Sequence, residues 1–225
     1  MAEERILILG GTREASALAG HLVDHGHQVI TSLAGRTREP EPVKGEMRVG
    51  GFGGVDGLTG YLLNESITRV IDATHPFASR ISANIQKAAT LADIRLDIET
   101  RPAWKRKKKD RWIEVATLEE AVEKLPAGAR AFLALGSQYI DAFSSREDVE
   151  FIVRMIDPPQ KPLPLKCHEI ITAKPGSEAK SETKLFKAYA ITHLVCRNSG
   201  GNGAYARIEA AREMKLPVIM IGRPV

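Results

Sequence analysis

Cysteine is almost missing from this chain: Cys167 and Cys196 are the only two, and neither sits in a C-x-x-C pair. A disulfide framework and a zinc ribbon are therefore excluded. Aromatic residues are scarce at 5%, too few for a surface that stacks the bases of a single strand. Nowhere do 18 apolar residues follow one another, so no membrane-spanning helix is expected. The opening MAEERILILGG places two acids and an arginine before a short apolar run, unlike a secretory signal, and the expected location is the cytoplasm. An excess of one charge is lacking too, since 32 Lys and Arg stand against 28 Asp and Glu. A net charge of +4 is too small for a dedicated nucleic-acid binder and suits an enzyme with anionic ligands. Two catalytic signatures are also missing. None of the four tyrosines has a lysine four positions later, and no G-x-S-x-G occurs. A short-chain dehydrogenase of simple alcohols and a nucleophile-elbow hydrolase are disfavoured accordingly. His21, His25 and His27 have no carboxylate or cysteine companion, so no metal is expected.

What is present is a large apolar fraction, 43% of 225 residues, in short β-branched runs that alternate with helical patterns. Residues 5–9 read as a strand buried on both faces, because no polar residue interrupts them after Arg5. Ala15, Leu18, Ala19, Leu22 and Val23 mark one face of a helix over 13–25, which Gly26 ends. Strands at 28–32, 47–49, 69–72 and 95–98 alternate with helices at 55–63 and 77–91. After a basic stretch at 101–111, read as a solvated crossing, the alternation resumes. Strands are expected at 111–115, 131–135, 151–153, 168–172, 193–196 and 218–221, and helices at 118–125, 182–190 and 204–214. Residues 157–164 form a proline-rich loop. Strand–helix–strand units of this length force parallel pairing with right-handed crossovers. The fold class is α/β: two Rossmann-like domains, 1–100 and 101–225, with mostly parallel sheets and a ligand cleft between them.

The chemistry gathers at strand ends. Gly10-Gly11-Thr12-Arg13-Glu14-Ala15 lies between the first strand and first helix, where dinucleotide folds keep G-x-G-x-x-G/A, with Thr12 replacing the middle glycine. Free amides and the helix dipole make such a turn an anion site, to which Thr12 adds a hydroxyl and Arg13 a charge. NAD sites usually carry an acid about 20 residues further on. Here Thr31 to Arg36 holds none, and Ser32 and Arg36 suit a 2′-phosphate, so NADP is expected over NAD. Gly50-Gly51-Phe52-Gly53-Gly54 allows close backbone approach to a ligand. In Asp72-Ala73-Thr74-His75-Pro76, Thr74 or His75 is placed to touch the cofactor, or His75 the substrate; helix capping by Asp72 or Thr74 is the alternative.

Taken in order, LILGGTREA at 7–15, TSLAGRT at 31–37, VGGFGGVDGL at 49–58, DATHPFA at 72–78 and CRNSGG at 196–201 resemble the precorrin-6A reductases of cobalamin biosynthesis. IEAAREMKLPVIMIGRP at 208–224 fits that family's C-terminus, and TSLAGR looks like its aerobic-pathway, NADPH-using members. The resemblance implies hydride transfer from NADPH to precorrin-6A, giving precorrin-6B. It puts cofactor contacts on Gly10, Gly11, Thr12, Arg13, Ser32 and Arg36, and on Gly51, Gly53, Thr74 and His75. The substrate is an anionic tetrapyrrole whose acetate and propionate arms would meet the second half. There Ser137 and Gln138 follow one strand, Asn198, Ser199, Gly200 and Gly201 follow another, and Arg154 and Arg197 add charge. The proton that accompanies the hydride has three candidate donors, His75, Asp72 and Asp157. Two other classes stay open: an NADP-linked reductase of a small carbonyl compound, and a non-catalytic nucleotide-binding module using the basic stretch.

Overall fold

The structure is a computed structural model that describes residues 4–35 and 39–224. The chain divides into two units, Met1–Arg101 and Pro102–Val225, each built on its own sheet. In the first, β1 (Arg5–Leu9), β2 (Gln28–Leu33), β3 (Glu46–Val49), β4 (Arg69–Asp72) and β5 (Arg95–Ile98) pair in parallel in the order β3-β2-β1-β4-β5. The helices are α1 (Arg13–Asp24), α2 (Val55–Asn64) and α3 (Ser79–Leu91).

Period-two alternation along β1 explains why this strand is apolar throughout. Leu7 and Leu9 point into a core with Leu58 and Leu62 of α2 and Ile85 and Ala88 of α3. Ile6 and Ile8 point the other way, onto Ala15 and Ala19 of α1. A sheet buried on both faces by helices is the doubly wound arrangement, and truncating a residue such as Leu7 to Ala should cost about 2–5 kcal/mol. Thr12 begins α1 as its N-cap, accepting a hydrogen bond from the Ala15 amide at 3.1 Å.

The second unit contains β6 (Arg111–Val115), α4 (Leu118–Glu123), β7 (Arg130–Ala134), β8 (Glu150–Met155) and β9 (His168–Thr172). It continues with α5 (Ala179–Ala188), β10 (His193–Arg197), α6 (Ala206–Glu213) and β11 (Pro217–Ile221). All pairs are parallel, in the order β6-β11-β10-β7-β8-β9. Phe132 of β7 meets Phe186 of α5 edge-on at 5.2 Å, in a core with Trp112, Ile152, Leu194, Ile208 and Met220.

The fold is α/β with parallel sheets, as expected, and the differences are local. The helix expected from residue 77 starts at Ser79, because Pro76 and an Ala78 N–H to His75 carbonyl bond of 2.7 Å shape a turn first. The one expected at 182–190 runs Ala179–Ala188 and stops where Ala190 takes a φ of +48°. A 3₁₀ helix, Ser137–Phe143, follows β7 where only a loop was expected. The basic stretch is not a bare linker either. Trp104 is buried in the second core, and Asp110 pairs with Arg212 of α6 at 2.7 Å. No helix among the described residues is long and apolar enough to cross a membrane.

Candidate functional site

Because β1 to β5 are parallel, their carboxyl ends fall on one edge, and the loops singled out in the sequence meet there. The order β3-β2-β1-β4-β5 reverses between β1 and β4, which is where doubly wound folds open a crevice. The Gly10 amide donates to the Ser32 carbonyl at 2.9 Å and the Gly50 amide to the Leu33 carbonyl at 2.9 Å, tying three strand ends together. Gly10 must lack a side chain because a Cβ would lie 2.9 Å from the Thr31 methyl. Gly11 takes a φ of +100°, open to glycine, with nothing within 4 Å of a Cβ. Gly51 has no such backbone demand, and again a Cβ there would meet nothing among the described residues. A 220 Å³ cavity on this unit is lined by Thr12, Glu14, Ala73, Thr74 and Arg101 among others.

Several expected contacts turn out to be committed within the protein. Thr12 donates its single hydroxyl proton to the Ala73 carbonyl at 3.2 Å while capping α1, so it has no proton left for a phosphate. It holds the β1 and β4 loops together instead. The buried Asp72 carboxylate accepts from the Thr74 amide at 3.1 Å and hydroxyl at 2.7 Å, a local turn that removes it as an exposed proton donor. Neither residue caps α3, whose N-cap is Ala78 without a side-chain bond. His75 accepts the Phe77 amide on Nδ1 at 3.2 Å, which leaves the ring proton on Nε2. Arg13 is exposed, and Arg36 lies outside the described residues. Ser32 is buried, and its hydroxyl accepts from Arg48 Nη1 at 3.0 Å.

The second sheet reverses between β7 and β10, and the Ser137 and Asn198 loops follow those two strands. Ser137 and Gln138 are exposed at the start of the 3₁₀ helix. Arg197 lies 4.6 Å over the Tyr139 ring. Asp157 is in the loop after β8. Five residues expected at the substrate are committed within the protein instead. Asn198 exchanges two hydrogen bonds with the Trp104 backbone, at 2.7 and 3.0 Å, so its amide braces the chain. The Asn198 and Ser199 N–H groups donate to the Ile221 and Arg197 carbonyls, which removes both from an anion nest. Gly200 has a φ of +69°, and a Cβ would run into the Pro102 carbonyl, so it is glycine for backbone reasons. The Gly201 carbonyl accepts from Trp104 Nε1 at 2.7 Å. Arg154, expected at the substrate, is 8% exposed and forms a two-pronged pair with Glu182 at 2.8 and 2.9 Å.

Two cations were missed. Arg48, at the end of β3, donates to Ser32, Gly50 and Gly51, and its register opposite Ser32 could have been inferred once β2 and β3 were paired. Arg207, in the first turn of α6, donates to the Ala204 and Ala134 carbonyls at 3.1 and 3.5 Å. Burial pushes its guanidinium below the ordinary arginine value. Nothing in its local sequence marks it.

Two doubly wound parallel sheets with glycine-lined carboxyl edges define a Rossmann-like α/β protein. A family model described as "Precorrin-6x reductase CbiJ/CobK" matches residues 5–225, and the chain belongs to that family. It is 44% identical to the precorrin-6A reductase of Rhodobacter capsulatus over 221 residues, 98% of this chain and 88% of that protein. It is 42% identical to the precorrin-6A reductase of Rhodococcus erythropolis over 222 residues, covering 98% and 89%. A solved structure titled "CobK precorrin-6A reductase" superposes with a TM-score of 0.95 at 44% identity, covering 99% of this chain and 89% of that one.

Proposed function

We propose that the chain is a precorrin-6A reductase that transfers a hydride from NADPH to the precorrin-6A macrocycle, giving precorrin-6B. The observation that carries this reading is family membership over residues 5–225, joined to a first-unit edge whose Gly11 and Gly51 leave the backbone bare. The residues present fit a nicotinamide dinucleotide. The first amides of α1, which have no partner inside the helix, face the turn where a diphosphate is bound in such folds. Ser32-Leu33-Ala34-Gly35, at the end of β2, carries no acid to repel a 2′-phosphate, which supports NADPH. When bound, the cofactor supplies the hydride, and the protein's own work is to position it and keep water out.

Within that reading Gly10, Gly11, Gly51 and Gly53 give close approach, the Thr74 and His75 loop borders the cofactor, and Arg13 and Arg36 add charge at its phosphates. His75 stands on the same edge and is the side chain we assign to protonate the reduced macrocycle; it donates as the imidazolium, and the neutral ring that remains takes back the Phe77 amide on Nδ1. On the second unit, Arg197, Arg207 and the Ser137 turn receive carboxylate arms, and the partner is a small anionic tetrapyrrole rather than nucleic acid or membrane. A cytoplasmic location belongs to the same reading.

Mixing the protein with NADPH and precorrin-6A should bleach the NADPH absorbance as the macrocycle spectrum changes. Oxidation of NADPH by small carbonyl compounds, with no response to the tetrapyrrole, would favour the other reductase class. Arg197→Ala should raise KM for the macrocycle while the NADPH dissociation constant stays within about twofold. The opposite pattern would reverse the roles given to the two units.

A further inference from the structure

We propose that Arg48 is the side chain that recognises the cofactor's 2′-phosphate; the proposal rests on the nicotinamide-cofactor reading above. Arg48 is the third residue of β3 and pairs in register with Ser32, close to the end of β2. In a doubly wound sheet that strand end is where the adenosine ribose is held. Its guanidinium is fixed from several sides. Nη1 donates to the Ser32 hydroxyl at 3.0 Å and to the Gly50 carbonyl at 3.1 Å, and Nη2 donates to the Gly51 carbonyl at 3.0 Å. The Phe52 ring lies 3.8 Å beneath it and the Tyr61 ring 5.0 Å away.

Every one of these partners is neutral. Among the described residues, no carboxylate comes within ion-pair distance of Arg48, whereas Arg5, Arg69, Arg101, Arg154 and Arg212 each have one. A partly buried cation rigidly held by neutral acceptors, without a counter-charge, is an arrangement that an arriving anion completes. Bond counting shows which edge it offers. A guanidinium has five N–H groups. The three bonds use Nη1 and half of Nη2, so Nε–H and one Nη2–H remain. Nε–H and the Nη2–H that faces it make the fork that grips a phosphate with two parallel bonds. Beside it, a Cβ on Gly51 would meet nothing among the described residues.

A bracing role alone would also explain the bonds to Gly50 and Gly51, so the test separates bracing from recognition. Calorimetric titrations with 2′,5′-ADP and with 5′-ADP, which lacks the 2′-phosphate, should be run on the whole protein. The wild type should bind 2′,5′-ADP more tightly. Arg48→Met, which keeps the stem over Phe52, should weaken 2′,5′-ADP about tenfold or more and leave 5′-ADP within about twofold. Arg48→Lys should fall between, since it keeps the charge without the fork, and it serves as the readout if the methionine variant melts early. Equal losses for both nucleotides in either variant would overturn the assignment and make Arg48 a brace. Full discrimination retained in Arg48→Met and lost in Arg36→Met would overturn it in favour of Arg36. A wild type that binds neither nucleotide would overturn the cofactor reading itself, and this assignment with it.

Discussion

The pair between Arg154 and Glu182 decides whether Arg154 serves the fold or the substrate. Both side chains are buried, at 8% and 2% exposure, and Glu182 also accepts the Gly176 amide at 2.7 Å. Arg154 Nε is buried with no partner among the described residues, so this guanidinium already depends on its two bonds to Glu182. Removing one member of a buried ion pair costs about 3–5 kcal/mol, because the other stays charged in the interior. Arg154→Met leaves Glu182 with one donor, and a loss near 3 kcal/mol is expected. Glu182→Leu strands both the guanidinium and the Gly176 amide, which adds roughly 1 kcal/mol and puts its loss at about 4–6 kcal/mol. The double variant removes both charges and should recover to within about 2 kcal/mol of the wild type. Urea unfolding followed by circular dichroism measures all four proteins. KM for precorrin-6A, taken on the wild type and the double variant, completes the comparison and should hardly move. Additive losses in the double variant would show that the two side chains are not coupled. A recovered fold with a sharply raised KM would return Arg154 to the substrate.

Four further outcomes are expected. Gly51→Val should abolish NADPH binding with an unchanged melting curve, whereas Gly53→Val should also lose about 1–3 kcal/mol because its φ is +78°; full NADPH affinity in Gly51→Val would remove that loop from the site. Iodoacetamide should label the exposed Cys167 and spare Cys196, whose thiol burial pushes up to about 12, as mass spectrometry of the native protein would reveal. Burial holds the His193 imidazole below its ordinary 6.5, so the unfolded chain binds that proton more readily. Its contribution to stability is complete above that value and shrinks as pH falls beneath it; His193→Gln should flatten this acid-side slope in pH-dependent melts. Asn198→Ala should cost about 1–3 kcal/mol by stranding the Trp104 N–H and C=O, and a neutral result would contradict the bracing role.

The alternation of strands and helices was legible because a strand buried on both faces has nowhere to put a polar residue, as residues 6–9 illustrate. The second glycine of the turn was legible for a related reason, since Gly11 answers to its own φ of +100°, whereas Gly10 answers to Thr31 on the neighbouring strand. Other features depended on partners far along the chain. Asn198 looks like a loop amide until Trp104, 94 residues earlier, is seen to occupy both ends of it. Arg154 looks like a ligand cation until Glu182 arrives from α5. Arg48 acquires meaning only from the register of β3 on β2, which no periodicity within Glu46–Val49 discloses. Thr12 misled in the other direction: a hydroxyl in a phosphate turn invites a ligand, but the Ala73 carbonyl takes its proton while the Ala15 amide uses its oxygen to cap α1.

The place of β11 has a consequence for how the chain is made. Synthesis runs from the N-terminus, and the five strands of the first unit all emerge by Ile98. The second sheet has no such luck, because β11 lies between β6 and β10. From the moment Val115 leaves the ribosome, β6 waits for Pro217–Ile221 before either of its edges is paired. Roughly a hundred residues intervene, so at about 5–20 residues per second the wait is roughly 5–20 s. Throughout it Trp112 has no β11 to lie against, and the flank of β10 that will receive β11 is open as well. Premature termination before residue 217 would therefore not trim this sheet at its border but split it from within.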